Sequence, residues 1–230
     1  MRPLIILVLL CCFSCNNERT LLLPEIENAE VTEVLDVSPA YIFYDKTLPD
    51  STLLNRKNLI STTNWLINVD KRLTLNQAIP KIVLMQNKKR NAKMHKNEAA
   101  KNYFTCNDTS IGNLSFLEFT DVYYEFTEAT DPSTTIALIP QETNQDSIVS
   151  NYHLQLPIQI NNSNKFKIVD EVTEMINGTH SYSEEKRVTE FSIQLYFDKN
   201  LSFQDYISVK SQFRGIELNQ FNISSTEYVY

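Results

Sequence analysis

Three observations predict a mixed α+β fold for this sequence. Apolar and polar residues alternate with a period of two through much of the C-terminal half, which is typical of half-buried strands. Patterns that begin helices lie between about residues 50 and 105, where we expect helical segments. Hydrophobic residues make up 42% of the chain and aromatic residues 10%, enough to bury a core. We therefore expect a β-rich C-terminal half that ends in a strand–helix–strand unit.

The N-terminal half is predicted to begin with two short strands, over residues 32–37 and 40–45. The Ser38–Pro39 pair between them is expected to break the pairing, because proline and serine favour turns. Asp50 is a suitable N-cap for a helix over residues 52–67, where apolar residues recur on one broad face.

A second helix is predicted after residue 74. Thr74 and Gln77 have the spacing of a capping box, and Pro80 suits the first turn of the helix that follows. No strong helix breaker occurs between residue 81 and about residue 102, so we expect the helix to continue over that range. Its basic residues are expected to form a solvated face or to contact an anionic partner; they are Lys88, Lys89, Arg90, Lys93, His95, Lys96 and Lys101.

The second half reads mainly as strands, at residues 115–129, 134–140 and 147–160. Pro157 lies within the last of these and predicts an edge position or a bulge, because proline cannot donate a ladder hydrogen bond. Residues 188–197 alternate strictly and end at a polar turn. A helix from Ser202 to a C-cap at Gly215, then extended residues 216–224, complete a strand–helix–strand unit. No internal repeat is detected.

The N-terminus combines Arg2, ten mainly apolar residues at 4–13 and a polar stretch after residue 15. A membrane-spanning helix needs about twenty apolar residues, so this run is too short to cross a bilayer. The pattern is that of a secretory signal peptide. We expect a signal peptide at residues 1–14, a tether at 15–30 and an α+β domain at 31–230, with two subdomains that divide near residue 110 as an alternative.

The cysteines in this segment resemble the signal peptide of bacterial lipoproteins. The small residue Ser14 precedes Cys15, whereas the residues before Cys11 and Cys12 suit cleavage less well. The resemblance implies that Cys15 becomes the acylated N-terminus and anchors the mature chain in a bilayer. Asn16, rather than aspartate, follows it and favours the outer over the inner membrane. An ordinary cleaved signal peptide and a metal or disulfide cluster of the three cysteines are the alternatives.

The net charge limits the expected binding partners, and the cysteine count limits the expected disulfides. The formal net charge is -7 and becomes -8 without the signal peptide and its single arginine, so nucleic acid is not expected as a partner. Acylation of Cys15 leaves Cys106 without an intrachain disulfide partner. A buried, inert Cys106 is favoured over a reactive thiol.

The chain offers few sites for chemistry. Its three glycines, Gly112, Gly178 and Gly215, are too few and too scattered for a phosphate cradle, a dinucleotide loop or a nucleophile elbow. The histidines His95, His153 and His180 have no metal-binding spacing and are expected at the surface. We predict no catalytic residues, metal or cofactor.

One group of acidic residues is the candidate for carboxylate chemistry. Paired carboxylates hydrolyse glycosidic bonds or hold calcium when their separation is right. The group comprises Glu118, Asp121, Glu125, Glu128 and Asp131.

The last unit, residues 191–224, resembles the periplasmic strand–helix–strand of the ExbD/TolR family. The matching features are Asp198-Lys199 after the strand and Gly215-Ile216 after the helix. The resemblance implies a role in an energy-transducing system of the cell envelope.

Three functions follow as hypotheses. The first is a lipid-anchored envelope lipoprotein with a non-catalytic binding or structural role, whose partner is an envelope protein or a glycan. The second is an accessory component of an ExbD/TolR-like system. The third is an envelope hydrolase that uses the acidic group.

Overall fold

The computed structural model describes residues 19–92, 97–128, 136–141, 151–179, 188–214 and 221–230. Within these ranges the fold is mixed α+β and β-rich, with eleven strands in two mixed sheets and three helices. The broad fold class predicted from the sequence is therefore confirmed.

The first sheet is built from strands β1 to β6 and is associated with helix α1. Three neighbouring strands, β2, β4 and β5, run parallel; β3 and β6 flank them in antiparallel orientation, and β1 pairs in parallel with the end of β5. The elements are β1 (Glu25–Ile26), β2 (Val37–Tyr44), β3 (Thr52–Asn55), β4 (Asn64–Val69), α1 (Leu75–Arg90), β5 (Asn102–Asp108) and β6 (Asn113–Glu118).

The second sheet has the order β7-β11-β10-β9-β8 and is parallel except for β8 at one edge. Strands β9, β10 and β11 are neighbours and are joined in turn by α2 and α3. The elements are β7 (Tyr123–Phe126), β8 (Ala137–Gln141), β9 (Asn151–Ile160), α2 (Ile168–Gly178), β10 (Val188–Phe197), α3 (Phe203–Arg214) and β11 (Phe221–Val229).

Helix α3 joins the two sheets in one core. The Tyr206 ring on α3 lies 6.3 Å from the Phe104 ring of β5 and 5.0 Å from the Phe197 ring of β10. Phe104 also stacks on Phe119, with ring centroids 3.7 Å apart. A continuous cluster of buried apolar side chains therefore crosses between the sheets.

The predicted helix over residues 52–67 is wrong, because this range holds β3, a connection with turns and the start of β4. The carboxylate of Asp50 accepts hydrogen bonds from the N–H and the hydroxyl of Thr52, at 3.1 and 2.7 Å, and so closes the β2–β3 hairpin. The short apolar runs are compatible with either structure, and pairing with β2 favours strands.

Helix α1 has the predicted start but a different course. The capping box is confirmed, since the Thr74 N–H donates to Gln77 Oε1 at 2.9 Å. The helix begins at Leu75, so Pro80 lies inside it rather than in its first turn, and it ends at Arg90 rather than near residue 102. Strand β5 then begins at Asn102 and pairs with β4.

The two prolines in strands both lie where one edge of the strand is open. Pro39 does not break β2; it pairs opposite Leu66 of β4, and β3 joins β2 only from Tyr41 onward. Pro157 pairs opposite Gln194 of β10, and β8 covers β9 only as far as Gln155. A missing N–H is tolerated at such positions.

The structure contains a repeated unit, contrary to expectation. The first unit is β2, β4, α1 and β5, and the second unit is β9, β10, α3 and β11. In each, three parallel strands lie side by side and a helix joins the last two. The aspartate that ends the middle strand donates its N–H to the neighbouring strand in both, Asp70 to Ile42 O and Asp198 to Ile160 O, each at 2.9 Å.

The same four-residue turn follows the middle strand of each unit, at residues 70–73 and 198–201. Both sequences read Asp-Lys-x-Leu. The leucine N–H donates to the aspartate carbonyl at 3.1 and 3.0 Å, respectively. The N–H of the third residue donates to the aspartate carboxylate at 3.1 and 2.8 Å. Asp45 begins another Asp-Lys-x-Leu turn after β2, where its carbonyl accepts from Leu48 at 3.0 Å.

The two equivalent turns bind each other reciprocally. The N–H of Phe203, the first residue of α3, donates to Leu73 O at 2.7 Å, and that of Leu75, the first residue of α1, donates to Leu201 O at 2.9 Å. The second helical residues do the same, with distances of 3.2 and 3.0 Å to the carbonyls of Lys71 and Lys199. We call residues 70–76 and 198–204 the paired turns. Each supplies acceptors for N–H groups that a helix start leaves without intrahelical partners.

Within the segment expected as a tether, residues 15–30, the residues from 22 onward pack on the first sheet. Leu22 O accepts from the Lys71 N–H at 2.7 Å, and β1 pairs with β5 at Asn107 and Asp108. Strand β4 covers β5 only from Asn102 to Phe104, so the end of β5 has a free edge for β1. The chain passes from the first sheet to the second between β6 and β7.

The cap of α3 provides a test of the second turn. The Asp205 N–H donates to Ser202 Oγ at 3.1 Å, so Ser202→Ala removes a cap and is expected to lower the free energy of unfolding by about 1 kcal/mol. Urea denaturation measures the change. Ser211→Ala in the same helix is the control and is expected to be neutral or slightly stabilising, because alanine favours helix. An equal loss in both variants would contradict the assigned cap.

Candidate functional site

The candidate binding surface is a groove between helix α3 and the N-terminal segment. It contains a cavity of ≈ 400 Å³ and an adjoining one of ≈ 280 Å³. We call it the α3 groove. The two cavities share four lining residues, Ile26, Glu27, Ser211 and Gln212, and the groove also includes Glu25, Asn28, Ala29, Glu30, Thr109, Leu117, Ser208 and Arg214.

The paired turns hold the N-terminal wall of the α3 groove. Gln204 clamps Glu25 by its main chain: its Oε1 accepts from the Glu25 N–H and its Nε2 donates to the Glu25 carbonyl, both at 2.8 Å. Lys71 Nζ forms an ion pair with the Glu25 carboxylate at 2.6 Å. Farther along, the Ala29 N–H donates to Asp108 Oδ2 at 2.8 Å. The wall is thus fixed at both ends.

The groove presents hydrogen-bonding groups rather than a reactive pair. Hydroxyls come from Ser208 and Ser211, an amide from Gln212, a carboxylate from Glu27 and a guanidinium from Arg214. Such a lining can donate to and accept from the main chain of an extended peptide or the hydroxyls of a glycan. Ile26, Ala29 and Leu117 add apolar surface to the same lining.

The carboxyl ends of the parallel strands, where open α/β sheets usually bind ligands, are engaged in the fold. Asp70 is fully buried there and accepts two hydrogen bonds from the Arg72 guanidinium, at 2.8 and 2.7 Å. Burial alone would raise the pKa of Asp70, but the bonds from Arg72 and from backbone N–H groups outweigh it and hold the pKa below its usual range. This aspartate therefore stabilises the turn as an anion.

A buried polar network lies behind the groove, between α3 and the edge of the second sheet. Glu227 on β11 is 1% exposed and accepts hydrogen bonds from Lys210 Nζ and, at 2.8 Å, from the Tyr206 hydroxyl. The Tyr124 hydroxyl on β7 lies 2.9 Å from that of Tyr206. Burial, and then the Glu227 charge, raise the pKa of both tyrosines. The network fixes α3 against β7 and β11.

Lys89 is a buried cation at the end of α1. It is 7% exposed, its Nζ donates to Asn102 Oδ1 at 2.8 Å and to Lys101 O at 3.1 Å, and it lies 4.8 Å from the centre of the Trp65 ring. Burial lowers its pKa to about 8. These contacts connect the helix to the starts of β4 and β5, which makes Lys89 a structural residue.

The other basic residue at this helix end also contacts the fold. Arg90 lies 4.0 Å from the centre of the Tyr123 ring and donates to the carbonyls of Thr120 and Val122 at 3.1 and 2.9 Å. It thereby secures the connection between β6 and β7. Residues 93–96 of the predicted basic face, His95 among them, lie outside the described residues.

The residues of the acidic group that the structure describes are spread from the end of β6, through the connection that holds Asp121, to β7 and to Glu128 just beyond it. Glu118 ends β6 and binds Lys101 Nζ at 2.9 Å and the Thr120 hydroxyl at 3.0 Å, whereas Glu125 lies on β7. Asp131 lies outside the described residues. Within the described ranges, no group of three or more His, Cys, Asp or Glu side chains could hold a metal ion.

The remaining candidates have simple positions. Cys106 is fully buried, and burial raises the pKa of its thiol to about 12, as for an inert core residue. His153 is half-buried rather than at the surface, with Nε2 2.7 Å from the Ser192 hydroxyl on β10. Cys15 and His180, like Gly215 at the expected C-cap, lie outside the described residues.

Sequence reasoning missed Gln204 and Glu227. Gln204 follows the Asp-Lys-x-Leu turn, and the recurrence of those four letters in the chain was the available signal. Glu227 lies in a polar stretch of the sequence, and no local pattern there predicts that its side chain is buried.

No family model, curated protein or solved structure matches this chain. None of the helices in the described parts of the chain is long and apolar enough to cross a membrane.

The lowered pKa of Lys89 predicts a pH-dependent stability. The unfolded chain, with an ordinary lysine pKa near 10.5, binds the proton more tightly than the folded chain between pH 8 and 10.5. Stability contributed by this group is therefore expected to rise from about pH 8 toward pH 10. Urea midpoints of the wild type and Lys89→Met across this range measure the effect, because the wild type should gain relative to the variant. The exposed Lys88→Met control should follow the wild type; a constant difference for Lys89→Met would contradict the prediction.

Proposed function

We propose that this protein is a lipid-anchored lipoprotein of the bacterial cell envelope with a non-catalytic binding or structural role. The observation that carries the proposal is the sequence from Arg2 to Cys15, with its short apolar run and Ser14 directly before the cysteine. Acyl chains on Cys15 hold the mature chain to the bilayer, and Asn16 favours the outer membrane.

The α3 groove is the proposed binding surface. Its wall continues directly from the segment that follows Cys15, and Gln204 and Lys71 hold that wall to the fold at Glu25. The hydroxyl, amide and charged groups of the groove suit a polar partner, an envelope protein or a glycan. The anchor keeps this surface at the bilayer.

An ExbD/TolR-like role is the second proposal, and one observation favours it. Strand β10, the Asp198-Lys199 turn, helix α3 and parallel strand β11 follow the order that the resemblance implies, and the first unit repeats that order. In this proposal the protein is an accessory component of an energy-transducing envelope complex. The hydrolase hypothesis is less favoured, because Glu118 already binds Lys101 and Thr120.

The lipid anchor is tested by metabolic labelling. Cells given radiolabelled palmitate should label the wild-type protein, and Cys15→Ala should lose the label because it removes the acylated residue. Cys106→Ala is the matched control and should keep it, since Cys106 is buried in the core. Label retained by Cys15→Ala would overturn the proposed anchor.

The groove is tested by crosslinking in intact cells. A photo-crosslinking amino acid in place of Ser211, on the helical side of the groove, should yield defined adducts with an envelope protein or peptidoglycan. The same substitution at Ile60, which is exposed on the connection between β3 and β4, is the control and should not yield them. Adducts with subunits of a transport complex favour the ExbD/TolR-like proposal. The same adducts from both positions would contradict a specific groove.

A further inference from the structure

The connection between β9 and α2 carries an exposed aromatic residue between two lysines, Lys165-Phe166-Lys167. Phe166 is 78% exposed, the most exposed large apolar side chain that the structure describes. The stretch from 161 to 169 contains these two lysines and no acidic residue, in a chain with a net charge of -7, and the first acidic residues after it are Asp170 and Glu171 in the first turn of α2. An apolar ring flanked by cations is typical of residues that lie at a phospholipid surface.

Local hydrogen bonds fix the connection that presents Phe166. The Asn161 N–H donates to Asn164 Oδ1 at 2.9 Å, and Asn164 Nδ2 donates to the Gln159 carbonyl at 2.8 Å. The Lys167 N–H donates to the Asn164 carbonyl at 2.8 Å, just before α2 begins. The exposure of the ring therefore belongs to an ordered loop, so contact with a surface requires little further loss of conformational freedom.

This loop lies beside the segment that leads to Cys15. Lys165 Nζ binds Asp205 Oδ1 at 2.8 Å, and the neighbouring Gln204 clamps Glu25. Leu22, three residues before Glu25, is held to the Lys71 N–H at 2.7 Å. The seven residues 16–22 span at most about 25 Å when fully extended. A bilayer that holds Cys15 is thus within reach of this side of the molecule.

We propose that Phe166 enters the interface of the bilayer that holds the Cys15 acyl chains, while Lys167 contacts the headgroup phosphates of anionic phospholipids. The inference rests on the proposed lipid anchor and adds an orientation to it. The Lys165 Nζ lies over the Phe166 ring, 5.1 Å from its centre, and forms an ion pair with Asp205. Two contacts, the acyl anchor and Phe166, then restrict how the domain tilts on the membrane.

The experiment attaches the protein to vesicles chemically, so that it does not depend on natural acylation. A mature chain that begins at Cys15 is coupled through that thiol to a maleimide lipid in vesicles that contain anionic phospholipid. Cys106 is fully buried with a raised thiol pKa and should not react. Flotation of the vesicles confirms coupling before any further measurement.

Tryptophan fluorescence then reports where residue 166 lies. In Phe166→Trp, brominated lipids should quench the fluorescence of the introduced tryptophan. Its emission maximum should also shift to the blue, because an indole ring in the membrane interface leaves water. Phe126→Trp, on β7 at a residue 51% exposed, is the control and should show neither change. The native Trp65 is 3% exposed and should supply an unquenched background in both variants.

The outcomes separate the two proposals. If the tryptophan emission of Phe166→Trp is not quenched on floated vesicles, the proposed membrane contact is overturned, whatever the palmitate labelling shows. The loop would then be a candidate contact for a protein partner. Equal quenching of Phe126→Trp would also overturn it, because the contact would not be specific. Lys167→Glu in the Phe166→Trp protein should reduce the quenching on anionic vesicles and leave it unchanged on zwitterionic ones.

Discussion

The reciprocal backbone pairing of the two Asp-Lys-x-Leu turns is the interaction on which the rest of the structure depends. Four hydrogen bonds run from the first residues of α1 and α3 to the carbonyls of the opposite turn. Without each of these hydrogen bonds, one N–H donor and one carbonyl acceptor at a crowded helix start would need water or another partner. The pairing also determines where the sheets meet, so that Tyr206 of α3 contacts Phe104 of the first sheet and Phe197 of the second.

This pairing also explains where a binding surface can form. The carboxyl ends of β4 and β10, the usual ligand position of a parallel sheet, are engaged in contacts between the two units. The accessible polar surface lies instead beside α3, where the N-terminal segment covers the free end of β5. The same few residues hold both features, since Gln204 belongs to a paired turn and clamps Glu25 on the groove wall. Anchor, groove and turn are therefore mechanically connected in the proposed lipoprotein.

Much of the local structure was predictable from the sequence, and the reason is chemical. The Thr74–Gln77 capping box and the alternation through β9 and β10 are local codes that the fold retains. The helix expected at 52–67 was not predictable as strands, because pairing with β2 and β5, distant in sequence, makes β3 and β4 extended. Pro39 and Pro157 are a second example of structure that depends on distant residues. Each proline is tolerated because a neighbouring strand ends before it, and the sequence around the proline does not show where that strand ends. Outside the Asp-Lys-x-Leu turns the two units share hydrogen bonds but not side chains, as Phe104 on β5 and Glu227 on β11 show in corresponding places, so little in the sequence indicates the repeat. The α3 groove combines residues about 180 positions apart in sequence, so spacing motifs could not indicate it.

The repeat has a consequence for how the assembly behaves on dilution. Two separate copies of such a unit would associate through their turns to an extent set by their concentration. At low concentration most copies would be dissociated. Here both halves belong to one polypeptide, which replaces a bimolecular equilibrium with an intramolecular one. The folded state is then independent of how many molecules the cell makes. A single chain thus contains both halves of a pairing that separate chains could form only by dimerisation.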